Sequence, residues 1–131
     1  MQLEASLRFT VGPDDIDEFE HANHAVYLRW LDDLAWAQLG SVELDKTTLV
    51  ATRLGMVARR HVISFSSPAY AGEEVVVSGT LNPAGPFTLK GICEIMSAES
   101  GRRLTVIESE WVWYDIARRR PSRLPSQISD L

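Results

Sequence analysis

Leu3, Leu7, Phe9 and Val11 recur along a loosely alternating stretch over residues 2–11, which predicts a first strand. The turn-forming cluster Gly12-Pro13-Asp14-Asp15 ends it. The period then becomes helical. It predicts a helix over residues 23–39, about 17 residues and about 25 Å long, with Asn23 as N-cap and Gly40 as its stop. Projected at 100° per residue, His24, Leu28, Leu31, Ala35 and Leu39 share one face. Asp32 falls at the edge of that face, and Asp33 points away, near Arg29. The opposite side still carries Val26, Trp30 and Ala37, so the helix is expected to be covered by a sheet, a partner subunit or both.

Residues 41–54 predict a loop with a short helical turn. From Met56 the period is two: His61, Ile63 and Phe65 alternate with Val62, Ser64 and Ser66, and Ser67-Pro68-Ala69 with Gly72 closes the strand. Glu74 to Leu81 predicts the next strand, and Asn82-Pro83-Ala84-Gly85-Pro86 a turn. Phe87 to Met96 and Arg103 to Ile116 predict two more, joined by a turn at Ala98-Glu99-Ser100-Gly101. The Arg-, Pro- and Ser-rich stretch 117–131 is expected to be irregular. No repeat or linker interrupts residues 1–131, so a single domain is expected, of the α+β class. One antiparallel sheet of about five strands wrapped around one long helix buries the apolar faces most simply. Such a sheet leaves edges open, and pairing of subunits into a homodimer or homotetramer is the usual remedy.

Composition narrows the function classes. A chain of 131 residues with 45% hydrophobic content suits one globular core, and 24% charged residues argue against disorder. The formal net charge is −5, so no nucleic acid or anionic membrane is expected as a partner. Cys93 is the only cysteine, which excludes an internal disulfide and suits a reducing, cytoplasmic location. The first ten residues carry Glu4 and Arg8 and no apolar core, unlike a secretory signal. No apolar run approaches the roughly 20 residues of a membrane span. His21, His24 and His61 do not have metal-ligand spacing, so no metal is expected. There is no Gly-x-Ser-x-Gly elbow for a serine nucleophile, and Cys93 reads as core.

The chemistry concentrates where the turn Asp15-Ile16-Asp17-Glu18-Phe19-Glu20 runs into the helix. That junction sets carboxylates beside the unpaired N–H groups of a helix start, the two parts that carbonyl chemistry requires. Asp15 and Asp17, then His21 and Asn23, then His24-Ala25 with Tyr27, then Asp32, together resemble the signature of hotdog-fold acyl-CoA thioesterases of the 4-hydroxybenzoyl-CoA type. Pro68-Ala69 with Gly72, and Arg120-Pro121 with Leu124-Pro125, resemble later parts of the same pattern, so the likeness spans roughly residues 5–126.

The resemblance implies an enzyme that hydrolyses an acyl-CoA or acyl carrier protein thioester to free acid and thiol, with no cofactor beyond the coenzyme A of its substrate. Asp17 would be the base or nucleophile and Asp15 would hold the loop. The helix start near His24 and Ala25 would be the oxyanion site. His24 either orients water and polarises the carbonyl or packs as an ordinary helix-face histidine. Asn23 would cap the helix first and hold water second. Asp32 either faces the acyl group or a dimer-related site, or is a structural carboxylate. Arg59, Arg60, Lys90, Arg118, Arg119 and Arg120 are candidate contacts for the CoA phosphates. One position departs from the pattern: Glu20 stands where the family usually has Gly, which tolerates backbone conformations that Glu does not. A hotdog dehydratase or hydratase, and a non-catalytic acyl-thioester-binding protein, are the alternative functions.

Overall fold

The alternating stretch forms strand β1 (Leu3–Thr10), and the helical period forms α1 (His24–Gly40). A single 3-10 turn, Pro13–Asp15, lies between them. After a short helix α2 (Lys46–Thr52) come β2 (Leu54–Phe65), β3 (Glu74–Pro83), β4 (Thr88–Ser97) and β5 (Arg103–Asp115). A two-residue strand β6 (Arg120–Pro121) and a terminal turn of helix α3 (Ser126–Ser129) follow. The structure, a computed structural model, describes residues 2–131.

All strand pairs are antiparallel, and the main sheet runs β1-β3-β4-β5-β2, with β6 added to β5. The sheet therefore has β1 and β2 at its edges. Helix α1 packs on one face, against Leu81, Cys93 and Trp111 among others. On that face Val75, Val77, Leu89, Ile95, Ile107 and Trp113 are buried, each at alternate positions of its strand as a one-sided sheet requires. This is the α+β architecture expected from the sequence.

Four local expectations change. The buried side of α1 is built from Val26, Tyr27, Trp30, Leu31, Leu34, Ala35, Gln38 and Leu39. It is rotated from the predicted face, leaving Leu28 37% exposed and His24 exposed. The large rings decide this: Trp30 stacks on Phe9 of β1, and Tyr27 meets Phe65 of β2 edge-on. Gly40 lies inside the helix rather than beyond it, and the cap is Ser41. Asn82 and Pro83 extend β3, where Pro at a strand end costs no ladder bond, and the turn tightens to residues 84–87. The stretch 117–131 is ordered: Ser122 N–H donates to Trp113 O, Leu124 N–H to Pro86 O, and Ile128 is fully buried.

Candidate active site

The turn before α1 is a small loop closed on itself. Asp17 N–H donates to His21 O at 2.9 Å, and Ile16 bridges Ala22. Asp15 holds this loop from below, as expected. Its Oδ2 accepts the Gly12 N–H at 2.9 Å, its carbonyl accepts the Asn23 N–H at 2.8 Å, and Oδ1 pairs with Arg29 at 3.1 Å. Asp33 therefore does not partner Arg29; Asp15 does. Glu20 sits at φ 64°, in the left-handed region that favours glycine. The loop thus keeps the backbone path that a glycine would adopt, with Glu in it. A side chain there costs on the order of 1 kcal/mol.

The loop docks on the segment after β2. Ala22 N–H donates to Ala69 O at 2.8 Å, and His21 bridges Tyr70 with its ring edge-on at 5.2 Å. That segment is itself clamped. Arg102 donates to Ser67 Oγ at 2.9 Å and to Glu73 at 3.2 Å, and Ser97 Oγ donates to Glu73 at 3.0 Å. Between loop, helix start and clamp lies an open cleft of about 470 Å³, lined by Asp17, His24, Tyr27, Phe65, Ser66 and Ser67 with their neighbours.

Within the cleft Asp17 Oδ1 accepts the Phe19 N–H at 2.9 Å, which fixes the carboxylate and leaves Oδ2 uncommitted among the described residues. Asn23 caps α1 by accepting the Ala25 N–H at 3.0 Å. The Ala25 N–H, a candidate oxyanion donor, is thereby engaged. The His24 N–H makes no hydrogen bond among the described residues, so it is the open donor at the positive end of α1. The structure thus brings together Asp17, His24 and the helix start, with Asn23 and Ala25 joined in the cap. Tyr27, Phe65, Ser66 and Ser67 complete the wall. They escaped the sequence-based site because the strand end and the helix are far apart in the chain; Tyr27 alone carried a signal, in the resemblance.

The remaining candidates lie elsewhere. Asp32 is two turns beyond His24, about 12 Å along the helix, and outside the cleft lining. Its carboxyl is raised above the usual range, mostly by partial burial and then by Asp33, while His61 and Lys46 oppose the rise. His61 is lowered, chiefly by burial, and its Nδ1 meets Ser109 Oγ at 2.7 Å. Arg60 and Lys90 line a cavity of about 330 Å³ on the sheet face away from α1. There Glu110 engages Arg59 at 3.2 Å and Lys90 at 3.9 Å. Arg118, Arg119 and Arg120 follow the far end of β5: Thr105, opposite Phe65, and Asp115 are ten residues apart, about 33 Å along the strand. Burial pushes the Cys93 thiol up to about 12, so it is inert. Among the described residues no group of three His, Cys, Asp or Glu side chains is placed to hold a metal. No helix there is long and apolar enough to cross a membrane.

Solved structures share this architecture over nearly the whole chain. A 1,4-dihydroxy-2-naphthoyl-CoA thioesterase from Synechocystis superposes with a TM-score of 0.86 at 21% identity, covering 98% of this chain and 97% of its own. A gentisyl-coenzyme A thioesterase gives 0.86 at 15% identity over 94% and 98%. A Staphylococcus aureus protein solved in complex with CoA gives 0.85 at 16% identity over 99% and 80%. The fold is therefore the hotdog fold. A family model matches residues 11–130, and on that match the chain belongs to the thioesterase-like superfamily. No curated protein sequence matches it.

Proposed function

We propose that this protein hydrolyses an acyl-CoA thioester to the free acid and coenzyme A. The observation that carries this reading is the cleft in which the fixed Asp17 carboxylate faces the start of α1. The carboxylate attacks the thioester carbon itself or takes a proton from the water that does. The carbonyl oxygen gains negative charge as the C–O bond forms, and the His24 N–H with the helix dipole stabilises it. The C–S bond then breaks; on the direct route water hydrolyses the resulting Asp17 anhydride, and on either route that water supplies the proton with which the thiol leaves. Superfamily membership, neighbours named as CoA thioesterases and one solved with CoA support this choice of reaction and carrier.

The active form in this proposal is at least a homodimer. Among the described residues strand β2 pairs only with β5, which leaves a twelve-residue edge open, and Leu28 of α1 is exposed. Two β2 edges meeting antiparallel about their centres bring the Leu54 end of one protomer to the Phe65 end of the other. The far end carries Arg53, Arg118, Arg119, Arg120 and Arg123, with Asp115 paired to Arg118; the near end carries Asp14, Asp15, Asp17, Glu18 and Glu20, with Arg29 and Arg102 paired to Asp15 and Glu73. The pairing is thus complementary in charge. It sets one protomer's arginines beside the other's cleft, where the CoA phosphates emerge. Within one protomer about 33 Å of strand separates them, so the CoA assignment of Arg118, Arg119 and Arg120 holds only across the pair.

The test is thiol release over a panel of acyl-CoAs and acyl carrier protein thioesters. Asp17→Asn is expected to lower kcat by about 100-fold or more while the fold is retained. Full turnover by a folded Asp17→Asn variant would sink the mechanism.

A further inference from the structure

The exposed aromatic side chains are not spread evenly. Among the described residues four Phe or Tyr rings stay exposed: Phe19, Phe65, Tyr70 and Phe87. The first three belong to the Asp17 loop or to the strand end and segment on which it docks. Phe65 lines the cleft itself and is 55% exposed, while its ring meets the buried Tyr27 ring at 5.5 Å. A large ring open to water in a cleft is apolar surface that a ligand can cover. The Tyr27 hydroxyl is engaged inside the core, by the Ala69 carbonyl and Thr105. With Ala22 and Pro68, the two rings give the cleft an apolar side. The lining contains no Lys or Arg, and its one acidic side chain is Asp17. Arg29 and Arg102, which brace the surroundings, are held by Asp15 at 3.1 Å and Glu73 at 3.2 Å. Glu18 and Glu20 add negative charge on the same loop.

We propose that Phe65 is the acyl-sorting wall of this cleft, so that the enzyme takes uncharged, apolar acyl groups and rejects those ending in a carboxylate. This rests on the hydrolase reading above and deepens it by naming the substrate class. The thioester carbon has to lie between Asp17 and the His24 N–H. Two parts of the substrate then compete for the rings. The pantetheine arm carries amides, which lose water partners in a cleft and need replacements. The Tyr27 and Phe65 rings supply none, whereas the Ser66 and Ser67 hydroxyls can. An apolar acyl group needs only contact area, and the Phe65 ring supplies it. A cleft of about 470 Å³ has room for an acyl group of about six carbons or one aromatic ring. A carboxylate at the end of the acyl group meets the opposite conditions. It would lose water beside an aromatic wall, find no Lys or Arg in the lining and face the like charge of Asp17.

Thiol release from acetyl-, hexanoyl-, benzoyl- and succinyl-CoA tests this on the full chain. The wild type is expected to favour hexanoyl- and benzoyl-CoA over succinyl-CoA by about 100-fold or more in kcat/KM. Phe65→Ala is expected to lower kcat/KM on those two by about tenfold or more, and on acetyl-CoA by less than about threefold. Phe65→Leu keeps apolar contact and should retain most of the hexanoyl-CoA activity, which controls for folding. Phe65→Lys puts a cation in the lining and is expected to raise the ratio of succinyl- to hexanoyl-CoA turnover by about tenfold or more. A purely structural Phe65, or one that grips the pantetheine arm, moves all four substrates together. Such a uniform loss overturns the proposal and leaves the hydrolase reading intact, as does wild-type turnover of succinyl-CoA equal to that of hexanoyl-CoA. If no acyl-CoA is hydrolysed, the hydrolase reading fails, and titration calorimetry with the same panel decides the proposal. Tighter binding of hexanoyl- than of succinyl-CoA then supports it, and equal or reversed affinities overturn it.

Discussion

Glu20 shows how much one side chain constrains the site. Its φ of 64° and the Glu20 N–H bond to Asp17 O at 3.0 Å are parts of one turn, so the conformation that suits glycine also aims Asp17. Replacing Glu20 by Gly keeps that turn and removes the Cβ penalty. It is expected to stabilise the fold by about 0.5–1 kcal/mol, net of glycine's greater unfolded entropy, as urea denaturation would show. Thiol release should be retained. A loss of stability would mean that Glu20 makes a favourable contact outweighing its backbone strain. Asp17 and Asp15 were legible as residues because their spacing in the chain is their spacing in the loop. Phe65 was not, since only the fold sets the end of β2 beside the start of α1.

At the scale of the elements, α1 was predicted almost to its ends but about a quarter-turn wrong in orientation. Hydrophobic periodicity counts Leu28 and Leu34 alike, while the sheet does not. Leu34 is buried at 1% exposure against the sheet, and Leu28 is exposed. Leu34→Ala is expected to cost about 3 kcal/mol, and Leu28→Ala under about 1 kcal/mol in the separate protomer. Chemical denaturation of the two variants checks this; equal losses would restore the predicted face. The aromatic contacts Phe9–Trp30 and Tyr27–Phe65 account for the rotation, because each ring buries more area than a leucine. The terminal stretch was misjudged for the converse reason. Its arginines and prolines dominate the composition, while Leu124 and Ile128 alone dock it on the core.

For the whole molecule, the decisive feature is the open β2 edge beside a half-covered helix. Leu28 and Val57 are exposed in the protomer, so charging them should hardly disturb its folding. If the β2 edges pair, Leu28→Glu with Val57→Glu places like charges in the interface. Sedimentation is then expected to show dissociation to monomers, together with loss of CoA-thioester turnover, because the arginines proposed to meet the CoA phosphates leave with the partner. A variant that keeps both its assembly and its activity would rule out this pairing.

The chain by itself determined what depends on neighbours in sequence: the order of the elements, the N-cap of α1, the Asp15–Asp17 turn and the charge of each end. Those rest on local backbone geometry and on periodicities of 2 and 3.6 residues, which a sequence carries openly. Only the tertiary structure decided which side of α1 is buried, which wall faces Asp17, and that Arg59 and Lys90 share Glu110 on the opposite face of the sheet. These outcomes depend on strand register and on competition among large side chains for one core. Neither is a property of any single segment.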